Sequence, residues 1–141
     1  MMNRIKSATM IVLAMASASM AMPAPAPAAA PAAAAANDEA MVALATHSGC
    51  LTCHSIQPVS SSDSGPKPVG PAWAEVAAKY KDQKDAAQKL TDTVMQGSNP
   101  YASHWKGKVT GLAMPPNAVA ITRDEARQLV RWILSLDGRK T

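Results

Sequence analysis

Two cysteines two residues apart, with a histidine directly after the second, constrain this chain more than any other feature: Ser48-Gly49-Cys50-Leu51-Thr52-Cys53-His54. This is the spacing at which two thiols add as thioethers to the vinyl groups of one haem, with the adjoining histidine as the iron's first axial ligand. Each sulfur must reach one edge of the same macrocycle while the next residue swings its imidazole under the metal. A covalent haem would then be the largest apolar object in the fold. The same two cysteines could instead form a redox-active dithiol or hold a structural metal. A redox dithiol calls for a strand leading into the motif and a βαβ context, whereas the approach here is helical and His54 adds a ligand.

The remaining composition leaves room for such a group. The chain has 141 residues, no Phe and only 4% aromatic residues, so Trp73, Trp105, Trp132, Tyr80 and Tyr101 are its large rings. A folded domain of about 100 residues with so few rings buries apolar surface poorly alone. A buried haem would supply the missing core.

Arg4 and Lys6 precede an uncharged apolar run from Ala8 to Met22. A basic start followed by a short hydrophobic region reads as a secretory signal over 1–21, with Ser19-Met20-Ala21 as one small-x-small cleavage site. The run is short for a comfortable membrane span, which favours cleavage over an uncleaved anchor that would tether the domain to the membrane. Both readings export the domain and predict a periplasmic location. Residues 22–36 are almost wholly Ala and Pro and read as a linker, able to span roughly 45 Å where extended. The domain proper is expected over 37–141.

Periodicity within that domain predicts helices only. Asn37 or Asp38 can cap a first helix carrying Met41, Leu44, Ala45 and Ser48 on one side and ending at Gly49. Pro71 suits the first position of a second helix, with Trp73, Val76, Ala77 and Tyr80 on one face. Ala87, Leu90 and Val94 mark a third helix, closed by Gly97. Thr122 and Glu125 form a capping box for the last, in which Ala126, Leu129, Val130, Ile133 and Leu136 repeat along one face. No segment alternates like a strand, so the fold class is all-α.

A haem iron bound by His54 needs a sixth ligand or keeps an open site. Of nine methionines, only Met41, Met95 and Met114 lie in the domain. Met41 and Met95 occupy apolar helical positions, where methionine fills core space. Met114 precedes Pro115 and Pro116 in a loop, where restricted backbone angles hold a side chain still. A thioether there would favour reduced iron and raise the potential. His47 and His104 are the alternatives, His47 on the solvent side of its helix and His104 in a polar loop. Trp73 and Trp132 read as core, and the lysines between Lys79 and Lys89 as a solvated helix face.

The succession Gly49-Cys50-x-x-Cys53-His54, Val69-Gly70-Pro71-Ala72-Trp73, Met114-Pro115-Pro116-Asn117 and a closing helix with Trp132 resembles the small single-haem bacterial class I cytochromes c. The likeness covers roughly the last hundred residues. It implies about four helices wrapped around one covalent haem c, with the first and last crossing near Gly49. It implies thioether bonds at Cys50 and Cys53 and axial bonds from His54 and Met114. The Pro71 carbonyl would orient His54, Asn117 would donate to the Met114 sulfur, and Trp105 would hydrogen-bond a haem propionate. Trp105 lies further from Met114 than in that family, and Ser60 to Pro68 reads as an inserted surface loop.

Iron with both axial positions filled changes oxidation state but does not readily bind substrate, so the expected function is one-electron transfer without enzymatic activity. The resemblance implies transient docking with redox proteins: a donor such as a cytochrome bc1-type complex, and an acceptor such as a terminal oxidase or nitrite reductase. A fixed electron-entry subunit of a dehydrogenase and a gas-binding or peroxidase-like haem protein are the other readings. The chain carries 14 basic and 10 acidic residues; without Arg4 and Lys6 the balance is 12 to 10. Two ionised propionates would bring it near zero, and no concentrated basic patch points to nucleic acid.

Overall fold

Alanine makes the first helix longer than the capping residues suggest. In the computed structural model, which describes residues 29–59 and 66–139, α1 runs from Ala29 to His47. Alanine has the highest helix propensity, and Pro31 lies in the first turn, where the missing N–H would have had no intrahelical partner. The end of the Ala/Pro stretch, 29–36, is therefore helical rather than extended, while 1–28 lie outside the described residues. Asp38 caps nothing. From mid-helix its carboxylate accepts from Trp132 Nε1 at 2.7 Å and from Arg139 Nη2 at 2.6 Å. Among the described residues no helix is long and apolar enough to cross a membrane.

α1 ends in a turn at Gly49, followed by a 3-10 helix over Cys50–Thr52. α1 packs on the last helix one turn before Gly49, at the buried Ala45, whereas a Cβ at Gly49 itself would meet nothing within 4 Å. What requires glycine is its φ of +73°. The remaining helices are α2 (Trp73–Tyr80), α3 (Ala86–Gln96) and α4 (Arg123–Leu134), and no strand occurs among the described residues.

α4 is the element on which the other three pack. Its start is defined by the expected capping box: Thr122 Oγ1 accepts from the Glu125 N–H, and the Glu125 carboxylate accepts from the Thr122 N–H at 2.9 Å. Its apolar face buries Ala126, Leu129, Val130 and Ile133, with Leu136 buried just beyond its end. Trp132 joins that core and meets Trp73 edge-on, ring centroids 5.8 Å apart. Ala45 of α1 is fully buried in the same cluster.

The α2 start lies two residues after the expected one, at Trp73 instead of Pro71. Ala72 is its N-cap, so Pro71 stands outside the helix and its carbonyl is not consumed by the helical ladder. That carbonyl is thereby available to another donor. In α3, Ala86 and Thr91 are the buried residues, whereas Leu90 and Val94 are half-buried and face a cavity between α2, α3 and α4.

Candidate haem site

The cavity measures about 350 Å³, within the usual range of cofactor pockets. Leu90, Val94, Leu129 and Ile133 give it apolar walls, and Cys50, Cys53, His54 and Met114 all line it. Segments far apart in sequence thus bring the whole expected ligand set to one chamber.

His54 is seated by backbone and packing together. Its Nδ1 lies 2.8 Å from the Pro71 carbonyl oxygen. A carbonyl only accepts, so the proton of the neutral ring resides on Nδ1, and Nε2 keeps its lone pair for a metal. The ring stacks beside the Trp73 indole at 5.9 Å and an interplanar angle of 24°. Gly70 permits this placement, because a Cβ there would stand 2.8 Å from His54 Cε1. Burial pushes the His54 pKa below that of a free imidazole, and the bond to Pro71 partly offsets it. The histidine is therefore neutral, as ligation requires.

Burial pushes the Cys50 thiol up. A redox-active dithiol needs a lowered thiol pKa, and neither the strand nor the βαβ context it calls for is present among the described residues. No group of three or more His, Cys, Asp or Glu side chains among them is arranged to hold a bare metal ion. The chemistry of the donor set, two thiols and an unprotonated imidazole nitrogen on one apolar chamber, fits a covalent haem.

Met114 is positioned by hydrogen bonds that the sequence did not suggest. Its N–H donates to Ser98 Oγ at 2.8 Å, and its carbonyl accepts from the Ser98 N–H at 2.9 Å. Downstream, the Asn117 N–H donates to the Val94 carbonyl at 3.0 Å. Gly97 is needed for this docking, with φ +85° and a hypothetical Cβ only 2.8 Å from the Met114 oxygen. One residue, Asn117, behaves differently from expectation. The Asn117 side chain donates to the Pro115 carbonyl at 2.7 Å rather than to the Met114 sulfur, because its own loop offers a stronger acceptor two residues back. Trp105 lines the cavity half-buried, its ring flanked by His104 at 4.9 Å and by Lys108 Nζ at 5.6 Å. Its indole nitrogen bonds no described residue. His47 is exposed, as expected; His104 is exposed yet reaches the cavity rim. Met41 and Met95 pack against the core.

A small all-helical domain with a CxxCH segment opening on such a chamber has the architecture of a c-type cytochrome. The chain belongs to the cytochrome c family, whose family model matches residues 42–137. Cytochrome c2 of Rhodocyclus tenuis is 40% identical over 94 residues, covering 67% of this chain and 89% of that protein. Cytochrome c-551 of Pseudomonas aeruginosa is 37% identical over 92 residues, 65% of this chain and 72% of that one. The crystal structure of wild-type Nitrosomonas europaea cytochrome c552 superposes with a TM-score of 0.52 at 34% identity, covering 68% of this chain and 99% of its own. The resemblance to small bacterial class I cytochromes c and the all-α cytochrome c fold therefore hold. The cofactor is one covalent haem c, for which Cys50-Leu51-Thr52-Cys53-His54 is the attachment motif, and the family transfers electrons between redox partners.

Proposed function

We propose that this protein is a periplasmic one-electron carrier, with a haem joined through Cys50 and Cys53 and ligated axially by His54 and Met114. The observation that carries the reading is the pairing of a tautomer-fixed His54 with Met114 on the walls of one apolar cavity. The haem supplies a metal that changes oxidation state by one electron. Pro71 fixes the imidazole and strengthens it as a donor. Ser98 and the Val94 carbonyl hold the methionine loop, where Met114 would serve as the second iron ligand and leave no open site for substrate or gas. Trp105 is a propionate donor in this reading, and Asn117 acts by shaping the loop.

Residues 1–21 act as the export signal, consistent with relatives that are bacterial cytochromes c. The partners are redox proteins that dock transiently, the donor a bc1-type complex and the acceptor an oxidase or nitrite reductase; such encounters are small and salt-sensitive. The test is the visible spectrum of the reduced protein, matured in a host that attaches c-type haem, with and without carbon monoxide. A sharp six-coordinate spectrum unchanged by the gas is expected. A clear shift on adding it would mean an accessible iron and would replace the carrier with a gas-binding or peroxidase-like protein.

A further inference from the structure

The two walls of the cavity that carry His54 and Met114 come from opposite ends of the domain sequence, yet one run of five residues touches both. At its C-terminal end, the Gly70 N–H donates to the Cys53 carbonyl at 2.8 Å, Gly70 packs on the His54 ring, and Pro71 accepts from His54 Nδ1. At its N-terminal end, the run grips the segment that leads into Met114. The Thr110 N–H donates to the Pro68 carbonyl at 2.8 Å, and the Gly111 N–H donates to the Val69 carbonyl at 2.9 Å. Thr110 Oγ1 adds a second bond to Pro68 at 3.3 Å, and Lys67 Nζ donates to the Gly107 carbonyl at 2.7 Å.

We infer that Lys67–Pro71 is a brace joining the two ligand-bearing walls, with Lys67, Thr110 and Gly111 as positioning residues that govern how firmly Met114 stays on the iron. The inference rests on the assignment of His54 and Met114 as axial ligands. It follows from the way each end is held. The His54 end is fixed by burial and packing. The segment before Met114 contains no regular helix or strand: Thr110 and Leu112 are exposed, and their segment's placement relies on bonds to residues 67–69. The fit at Gly111 is tight, because a Cβ would lie 2.6 Å from the Val69 oxygen and would push the two segments apart. Lys67 and Pro68 close the stretch that reads in the sequence as an inserted loop, and their contacts give its end a role at the site.

The test measures how fast oxidised holoprotein takes up imidazole, which must displace the methionine, and the far-red sulfur-to-iron absorption that reports methionine ligation. Gly111→Ala is expected to bind imidazole roughly tenfold faster and to weaken the absorption, since it breaks the Val69 contact. Lys67→Ala, which leaves the backbone untouched, is expected to give roughly a threefold increase, and Lys67→Arg to restore the slower rate by keeping the donor. Thr122→Ala, at the remote start of α4, is expected to lower thermal stability without changing the imidazole rate. Wild-type rates in both Gly111→Ala and Lys67→Ala would overturn the brace while leaving the ligand assignment standing. A wild-type protein without the sulfur-to-iron absorption would overturn the ligand assignment, and the brace with it.

Discussion

The two sides of the haem cavity are built on different physical principles. On the His54 side the imidazole stacks on Trp73, which is buried against Trp132 in the core formed with α4. On the Met114 side Trp105 reaches the core, but the segment that carries Met114 is held mainly by hydrogen bonds, to Ser98, Val94, Pro68 and Val69. Displacing the histidine requires disrupting the hydrophobic core. Displacing the methionine requires a few bonds, each worth about 1 kcal/mol net, to open together. The comparison teaches that the domain combines a wall fixed by packing with one held by separable hydrogen bonds.

The largest test removes the site that both sides share. Replacing Cys50 and Cys53 with Ala should abolish covalent haem entirely, so that acidified organic solvent extracts it from the denatured protein and the mass equals that of the bare chain. Retention of covalent haem would refute the motif assignment. Trp73→Ala should strike the packed side, costing roughly 3–5 kcal/mol in denaturant unfolding. A loss well below that would mean that this wall is not held by packing. Ser98→Ala should act on the other side alone, removing the acceptor for the Met114 N–H. It should cost roughly 1 kcal/mol in global unfolding, well below the loss from Trp73→Ala, and speed exogenous-ligand binding several-fold.

The smallest effect at neutral pH concerns Asp38, whose hydrogen bonds from Trp132 and then from Arg139 hold its carboxyl below the usual carboxylate range. A depressed folded pKa contributes stability that is fully present above the unfolded value of about 3.9 and is lost as pH falls through the folded one. Asp38→Asn keeps an acceptor for Trp132 and should be slightly less stable at pH 7. Its thermal midpoint should also decline less than the wild type's between pH 5 and 2. Parallel pH profiles would remove Asp38 from the packed side's supports.

What was legible in the sequence is what is local in the chain. Cys50, Cys53 and His54 are contiguous, and the Thr122–Glu125 box spans one helical turn, so their chemistry is written in spacing alone. Asp38 was misread because its partners, Trp132 and Arg139, lie about a hundred residues away, while the alanines before it carried the helix past the apparent cap. Ser98 gave no signal, since a serine after a helix-ending glycine is unremarkable until Met114 folds back on it. The family pattern gives Asn117 a donor role toward Met114, and its local geometry turns the amide to Pro115 instead. The helix contact expected near Gly49 is made one turn earlier, at the fully buried Ala45, and Gly49 itself is required by its backbone angle.

The run from Lys67 to Pro71 also determines where this chain tolerates a change in length. One residue added or removed within it would carry Gly70 off the imidazole and Pro71 off Nδ1, or else slide Pro68 and Val69 past Thr110 and Gly111. No single shift satisfies both ends. Residues gained or lost upstream of Lys67 disturb neither register, because the contacts of the run begin at Lys67 and Pro68. Homologues should therefore differ in length before this point and keep a constant count from it to Trp73.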